Sequence, residues 1–317
     1  MRIKFRIIPL PLQKYDAVIP RMPPQFPKLP ELKENAKKLS SGYSGELKVD
    51  YHLGMLVNSY TILDDVYLHI HGSNFQIDSL VVTNHAIFIV EAKNYKGTIT
   101  FDTVLKQLIR SDGKIESGFE YPITQVENQT YHLRNWLQHH NLSHIPIFYV
   151  VAIADPETVI KVDGNREEIG KVVAHAARIP KMIRDKDDAF AQAGKPKIED
   201  YKIGKLILRE CRDFDINVMR HHEITREDLL PGVICSGCGM RGMKRIHGGW
   251  LCKKCRQKSH NAHRNDLANY LLLYGSITNK ECMWLLGLTS RSTATRILQK
   301  SGLVYVKECK CWTKRRK

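Results

Sequence analysis

Residues 75–94 read FQIDSLVVTNHAIFIVEAKN and carry the strongest structural signal in the chain. Two apolar runs flank Asn84-His85, a pattern that predicts two strands joined by a short turn. The second run is continuously apolar over four residues, which is typical of a strand covered on both faces. Charged residues interrupt this pattern at three places: Asp78 lies within the first strand, and Glu91 and Lys93 end the second.

These three charged side chains form a candidate site. Residues i and i+2 of a strand point to the same face, so Glu91 and Lys93 lie side by side. Asp78, on the neighbouring strand, can join them. A lone Glu-x-Lys is most often a solvated ion pair, but charges at the end of a buried strand are costly without partners. Two carboxylates beside an ammonium suit a hard cation and phosphodiester hydrolysis.

Two predicted helix starts bring further polar residues. The stretch GYSGE over residues 42–46 opens a helical pattern, and this places Glu46 in the first turn. Pro122 opens another helix, because proline is favoured at the first helical position, and Gln125 lies in that first turn. Taken singly, Glu46 and Gln125 are more often capping residues than catalytic ones.

The chain from about residue 41 to 155 resembles the nuclease-related domain, NERD, a branch of the PD-(D/E)xK nuclease superfamily. The residues that carry the resemblance are Gly45-Glu46, Gln76-Ile77-Asp78, Glu91-Ala92-Lys93-Asn94 and Pro122–Gln125. The Pro-rich segment before them resembles the N-terminal extension of Gram-positive bacterial members. Ile77 replaces the proline of the superfamily name, and Tyr121 stands where many members carry Asn. Neither departure removes a charged group.

The resemblance implies an α/β, restriction-endonuclease-like core with a mixed sheet and a site of Glu46, Asp78, Glu91, Lys93 and Gln125. Asp78 and Glu91, helped by Glu46, would hold Mg²⁺ or Mn²⁺, which activates water. Lys93 would orient that water or stabilise the phosphate, and Gln125 would position Lys93 or the phosphate. The hypothesis is a DNA endonuclease. The alternatives are a non-catalytic DNA-binding regulatory protein with a nuclease-like scaffold, and an RNA-processing nuclease.

Positive charge is concentrated at the C-terminal end. From Pro231 onward there are 18 lysines and arginines against 3 acidic residues, a net charge of +15, which leaves +1 for residues 1–230. Such a segment is an electrostatic footprint for a polyanion. A disordered basic tail would have the same charge, but this segment also contains apolar periodicity and metal-ligand spacing, which favour a folded nucleic-acid-binding region.

Four cysteines in two Cys-x2-Cys pairs, 13 residues apart, have the spacing of a zinc ribbon. The ligands would be Cys235, Cys238, Cys252 and Cys255. Trp250 can cover the metal, and His260 or His263 could replace a ligand, although four cysteines suffice. The alternative is a redox role, but no thioredoxin-like strand and helix flank the pairs. A closed site of this kind is structural, so the zinc is not assigned to hydrolysis.

Three helical patterns follow the ribbon. They cover residues 261–274, residues 278–286, where Thr278 and Glu281 form a capping box, and a third helix from about Ser290. Residues 304–312 then suggest a small wing. The pattern resembles a winged helix-turn-helix, with a three-helix protein-interaction module as the alternative. The predicted DNA-binding residues are Arg291, Ser292, Thr295, Arg296, Lys300, Lys314, Arg315 and Arg316.

These patterns together predict five regions. They are a Pro-rich arm (1–40), the nuclease core (41–212), a linker (213–232), the zinc ribbon (233–258) and the winged helix-turn-helix-like module (259–317). We find no signal peptide or membrane span in the sequence and expect no membrane partner. Because four cysteines have metal spacing rather than disulfide spacing, a reducing, cytoplasmic location is expected. The sequence leaves open whether the chain is a monomer or a homodimer.

Overall fold

The computed structural model describes residues 1–315 of the 317-residue chain. They form two compact units. Unit 1 contains Met1–Pro9 and Lys38–Phe214, and unit 2 contains Leu10–Lys37 and the chain from Asp215 onward. The predicted N-terminal arm, residues 1–40, is thus divided between the two units, and most of the predicted linker belongs to unit 2.

The strands are short outside the central sheet. In chain order they are β1 Arg2–Lys4, β2 Thr61–Ile70, β3 Ser73–Val82, β4 Ile87–Lys93, β5 Thr98–Asp102, β6 Gln107–Ser111, β7 Glu116–Phe119, β8 Ile147–Ile153, β9 Val159–Asp163, β10 Val173–His175, β11 Lys244–Ile246, β12 Gly249–Leu251, β13 Lys258–Ser259, β14 Ser276–Ile277, β15 Val304–Val306 and β16 Cys311–Thr313.

The α-helices are distributed over both units. In chain order they are α1 Leu10–Val18, α2 Leu29–Leu53, α3 Pro122–His139, α4 Arg166–Val172, α5 Ile179–Gln192, α6 Asp200–Glu210, α7 Val218–His221, α8 His263–Tyr274, α9 Asn279–Leu286 and α10 Arg291–Lys300. Single turns of 3₁₀ helix lie at Ile19–Arg21, Gly54–Leu56 and Ala176–Arg178.

The centre of unit 1 is a mixed sheet with the strand order β1-β2-β3-β4-β8-β10. The pairs β2–β3 and β3–β4 are antiparallel, whereas β1–β2, β4–β8 and β8–β10 are parallel. A second sheet, in the order β7-β6-β5-β9, completes the unit. The two strands predicted from residues 75–94 are therefore β3 and β4, inside the central sheet.

Two hydrophobic clusters cover the two faces of this sheet. Ile89 and Leu80 belong to one cluster together with residues of α3 and α6. Val90 and Val81 belong to the other, together with residues of α2 and α5. Because neighbouring residues of a strand point to opposite faces, the two clusters lie on opposite sides of the sheet. This explains why the second strand reads as a continuous apolar run.

Unit 2 contains two small sheets, β11-β12-β13 and β14-β16-β15, and a core of its own. Thr278 caps α9 and forms the predicted capping box with Glu281, and Ser290 caps α10. β15 and β16 pair antiparallel as the predicted wing. A disulfide joins Cys309 to Cys311 in that hairpin.

The predicted fold class is confirmed: a mixed α/β core, a four-cysteine cluster compatible with a zinc ribbon, and a helical module. One local prediction is wrong, because the helix expected to open near Gly42 begins at Leu29. Glu46 is therefore in the interior of α2 rather than in a first turn. Among the described residues, none of the helices has the length and apolarity needed to cross a bilayer.

Candidate active site

The pairing of the middle of β3 with the C-terminal part of β4 brings two carboxylates together. In this antiparallel pair Ser79 lies opposite Val90. At the next position along the two strands, Asp78 and Glu91 therefore lie side by side. Asp78 Oδ2 accepts a hydrogen bond from the backbone N–H of Ala92 at 2.9 Å. This bond holds the Asp78 side chain against the C-terminal part of β4, beside Glu91.

Glu91 is 2% exposed and is held from both sides. Lys93 Nζ donates to Glu91 Oε1 at 2.7 Å, and the Gln129 amide donates to Glu91 Oε2 at 2.9 Å. Lys93 Nζ also donates to Gln125 Oε1 at 2.7 Å. The structure therefore joins Glu91, Lys93 and Gln125 in one chain of hydrogen bonds between β4 and the first turn of α3.

Helix α2 supplies Glu46 by passing very close to the end of β4. A Cβ atom on Gly45 would lie 2.4 Å from Asn94 Cβ, so only glycine permits this approach. Asn94 Nδ2 donates to the carbonyl oxygen of Ser41 at 2.8 Å and fixes the contact. Two of the segments that carry the family resemblance, Gly45-Glu46 and Glu91–Asn94, thus contact each other. This contact sets the position of Glu46.

A buried arginine lies next to these carboxylates. Arg6 Nη1 donates to Glu46 Oε2 at 2.6 Å, and Arg6 Nε donates to Asp50 Oδ2 at 2.7 Å. Arg6 Nη2 donates to the Asp78 carbonyl oxygen at 2.5 Å and to Ser79 Oγ at 3.0 Å. The Arg6 side chain is 3% exposed. Arg6 therefore connects α2 to β3 beside the carboxylates.

Arg6, Asp50 and Gln129 are not identified as site residues from the sequence, although the sequence pattern around each of them indicates its position. Arg6 ends a run that alternates basic and apolar residues, the period of a strand. Asp50 and Gln129 each lie four residues after a predicted site residue, Glu46 and Gln125, and so on the same helical face.

The electrostatics of the site show an excess of buried negative charge. Burial raises the pKa of Asp78 well above its usual range, and the charges of Glu91 and Glu46 raise it further, against the opposing effects of Ala92 N–H and Arg6. Burial likewise raises the pKa of Glu46, and the charge of Arg6 only partly offsets it. A cation placed among these carboxylates would relieve this repulsion.

The basic partners remain charged. Burial opposes the charge on Lys93, but the adjacent Glu91 outweighs it and raises the pKa of Lys93 above its ordinary value. Burial also opposes the charge on Arg6, and its bond to Asp50 with the charges of Glu46 and Asp50 outweighs burial, so its pKa is raised. Both groups are therefore fixed cations at neutral pH.

The donor set fits a hard divalent cation, since carboxylate oxygens are the ligands that Mg²⁺ and Mn²⁺ prefer. Asp78 and Glu91 would hold the ion. Glu46 is engaged by Arg6, and within the described part of the chain Glu46, Asp78 and Glu91 do not form a cluster with all ligand atoms within 4.8 Å of one another. Glu46 would therefore act through water unless its bond to Arg6 opens.

The four predicted cysteine ligands do form such a cluster. All four sulfur atoms lie within 4.8 Å of one another, with Cys235 Sγ 3.6 Å from Cys255 Sγ and Cys238 Sγ 3.5 Å from Cys252 Sγ. A tetrahedral zinc with Zn–S bonds of about 2.3 Å requires sulfur–sulfur distances of roughly 3.8 Å, so the cluster fits the ion. Neither predicted histidine alternative belongs to the cluster.

The tryptophan predicted to cover the metal is fully buried in the core of unit 2, together with two of the cysteines. Trp250 Nε1 donates to His263 Nδ1 at 3.0 Å. His260 Nδ1 lies 2.8 Å from the carbonyl oxygen of Gly248. Both histidines thus support the β11–β12 hairpin rather than the cysteine cluster.

The predicted DNA-binding residues are distributed over more than one surface of unit 2. Arg291 and Ser292 are exposed at the start of α10, with Ser292 Oγ 2.8 Å from Ser290 Oγ. Thr295 Oγ1 accepts from Asn279 Nδ2 at 2.6 Å and so contacts α9. The remaining described basic residues line two cavities, and they are Arg296, Lys300, Lys314 and Arg315. Arg316 lies outside the described residues.

Comparison with protein families assigns part of the chain. Neither the curated proteins nor the solved structures contain a match to this chain. The family model described as the nuclease-related domain matches residues 41–154, which contain Glu46, Asp78, Glu91, Lys93 and Gln125. Residues 41–154 of this chain therefore form a nuclease-related domain, NERD, of the PD-(D/E)xK-like nuclease superfamily.

Proposed function

We propose that this protein is a divalent-metal-dependent nuclease that hydrolyses DNA phosphodiester bonds and is anchored on DNA by unit 2. The observation that carries the proposal is the hydrogen-bonded chain of Glu91, Lys93 and Gln125, with Asp78 next to Glu91 on the neighbouring strand β3. All four lie inside the segment that matches the nuclease-related domain.

The side chains have separable roles in this proposal. Asp78 and Glu91 hold Mg²⁺ or Mn²⁺, which when bound supplies an activated water and neutralises charge on the phosphate. Lys93 has three N–H donors, and two of them go to Glu91 and Gln125. Among the described residues its third N–H has no partner, and we assign it to a phosphate oxygen. Gln125 fixes the direction of that donor.

In this proposal unit 2 supplies the affinity for DNA. Its net positive charge attracts the phosphate backbone, and the cysteine cluster would bind one structural zinc that holds the β11–β12–β13 sheet together. Thiolate ligands need reduced cysteines, so we place the protein in the cytoplasm. The disulfide at Cys309–Cys311 lies outside this cluster.

The decisive experiment is a cleavage assay with the full chain. Plasmid, linear duplex, branched and single-stranded DNA, and RNA, are incubated with Mg²⁺, with Mn²⁺ or with neither. Glu91→Gln and Lys93→Ala should abolish cleavage and leave DNA affinity within a few-fold, because affinity lies in unit 2. Glu116→Gln, an exposed position on β7, is the matched control and should cut normally.

The outcomes separate the alternatives. Wild-type rates in both Glu91→Gln and Lys93→Ala would show that the site assignment is wrong. Cleavage of RNA alone would convert the proposal into the RNA-processing hypothesis. Tight DNA binding with no metal-dependent cleavage of any substrate would favour the non-catalytic regulatory protein.

The zinc assignment is tested by elemental analysis. The purified protein should contain about one zinc per chain, because the four ligands close one tetrahedral site. Cys238→Ser should lose the zinc and loosen unit 2, whereas Cys211→Ser, which changes a thiol of unit 1, should retain it. A zinc-free protein with a fully folded unit 2 would contradict the assignment.

A further inference from the structure

Two cavities of unit 2 adjoin each other. The first, of about 500 Å³, lies between the β11–β12 hairpin, the start of α8 and α10. The second, of about 440 Å³, lies between α8, the end of α10 and the segment after β16. Arg264 and Lys300 line both of them. The two cavities therefore form one continuous groove, with this arginine and lysine at its middle.

The groove is cationic along its whole length. Arg245 and Arg296 line the first cavity, Arg264 and Lys300 line both, and Lys314 and Arg315 line the second. None of the described residues that line it is acidic. Like charges this close repel one another, so an arrangement without counter-charges favours an anionic ligand. Four of these six cations, at positions 245, 264, 314 and 315, come from outside the predicted recognition helix.

The arginine at the ribbon end is held in place. Arg245 Nη1 donates to the carbonyl oxygen of Gly249 at 2.8 Å, and its guanidinium lies 5.0 Å from the centre of the Trp250 ring. Trp250 is fully buried, so the β11–β12 hairpin fixes the position of this charge. The zinc ribbon and α10 thus contribute to the same surface.

Beneath the groove, where the two helices meet, lie apolar side chains of the core of unit 2. Ile297 lies in the first cavity, and Leu267, Leu271 and Leu303 line the second. A helix that reads duplex DNA enters the major groove by a protruding face. A basic concave track instead suits one strand, whose flexible backbone can follow the groove with its phosphates on the basic residues.

We propose that this groove, lined by Arg245, Arg264, Arg296 and Lys300 and continued by Lys314 and Arg315, binds a single strand of nucleic acid. The proposal deepens the function assigned above, because it names the substrate form that unit 2 delivers to the nuclease. The recognised chemistry is the phosphodiester backbone with unpaired bases, which single-stranded DNA and RNA share.

The test measures binding to a fluorescent 20-nucleotide oligo-dT by the full chain, in buffer without added divalent ions. The double variant R264Q/K300Q removes the two exposed charges shared by both cavities. The matched control is K33Q/R220Q, which removes one exposed lysine and one exposed arginine of unit 2 outside the groove. Oligo-U and a duplex of equal length are measured in parallel.

Loss of two phosphate contacts from a single strand should reduce the salt slope by about 1.4 and weaken binding roughly 25-fold near 0.1 M salt. The control should change affinity by less than about twofold. Oligo-U should respond like oligo-dT. Duplex binding should change much less, because the recognition face of α10 near Arg291 remains.

Wild-type affinity for oligo-dT in R264Q/K300Q, or an equal loss in the control, would overturn the proposal. An equal loss on duplex and single strand would show that the groove contacts duplex backbone instead. Cleavage plays no part in this assay, so failure of the nuclease assignment and failure of the groove assignment give different results.

Discussion

Arg6 and Asp50 form a buried bidentate ion pair, in which Nε donates to Oδ2 at 2.7 Å and Nη2 donates to Oδ1 at 3.2 Å. Their side chains are 3% and 7% exposed. The same guanidinium binds Glu46. A segment that the sequence placed in an N-terminal arm thus supplies the cation that orders two acidic residues of α2, Glu46 of the candidate site and Asp50 next to it.

Replacing Arg6 should therefore destabilise unit 1. Arg6→Met leaves the buried Asp50 and the half-buried Glu46 without their counter-charge, and we expect a loss of about 3–5 kcal/mol in the free energy of unfolding. Urea denaturation of the full chain measures it. Lys181→Met, which breaks the exposed pair with Asp185, is the control and should cost less than about 1 kcal/mol. Equal effects of the two variants would refute a structural role for Arg6.

Gln129 should control metal affinity through Glu91. Its amide donates to Glu91 Oε2 at 2.9 Å from a buried position on α3. Gln129→Leu removes that donor and frees the carboxylate to rotate, so the Mg²⁺ concentration for half-maximal cleavage should rise by about 10–100-fold. Gln138→Leu, at an exposed position of the same helix, should leave it unchanged. An unaltered Mg²⁺ dependence in Gln129→Leu would exclude this positioning role.

The raised pKa of Asp78 predicts how stability depends on pH. Burial, followed by the charges of Glu91 and Glu46, makes the folded protein retain a proton on Asp78 that the unfolded chain loses at lower pH. Between the ordinary carboxyl pKa and the raised one, the folded state binds more protons, so metal-free stability falls as pH rises through that window.

Thermal unfolding with and without Mg²⁺ at about pH 5 and about pH 8 tests this sign. Mg²⁺ should raise the melting temperature more at the higher pH, where the carboxylates are ionised. In Asp78→Asn, the stability of the metal-free protein should fall less as pH rises. Mg²⁺ should also raise the melting temperature of this variant by less than that of the wild type. A steeper decline in the variant would show that another group causes it.

A buried ion pair within unit 2 leads to a separate prediction. Arg21 donates to Asp266 in a buried pair, and its guanidinium also donates to the carbonyl oxygens of Leu230 and Gly232. Burial raises the pKa of Asp266 to about 6 even though Arg21 lowers it. Asp266→Ala leaves Arg21 unpaired, and we expect about 3–5 kcal/mol less stability for unit 2.

Limited proteolysis provides the measurement, because Leu10–Lys37 belongs to unit 2. In Asp266→Ala, cleavage should appear within residues 10–37 as well as after residue 215. Cleavage confined to the C-terminal part would mean that residues 10–37 fold without it. Glu308→Ala, at an exposed position of the β15–β16 turn, is the control and should keep the wild-type pattern.

The candidate site was partly readable from the sequence because its main residues are close along the chain or tied to strong local patterns. Glu91 and Lys93 share a strand face, and the hydrogen bond between them follows from a period of two. Glu46 was identified through the family resemblance, while its place inside α2 was missed. The helix begins upstream because Leu29 to Lys38 is also a good helical sequence without an internal proline after Pro30.

What the sequence alone determined were features with a short period or a fixed spacing: the paired strands, the capped helices of unit 2, the cysteine pairs and the basic C-terminal charge. Contacts between residues far apart in the chain required the tertiary structure, because pairings such as Arg6 with Asp50, or Arg21 with Asp266, leave no local pattern. The same reason applies to the groove, since Arg245, Arg264 and Lys300 lie on three different elements. Only packing of those elements around a common core brings their charges onto one surface.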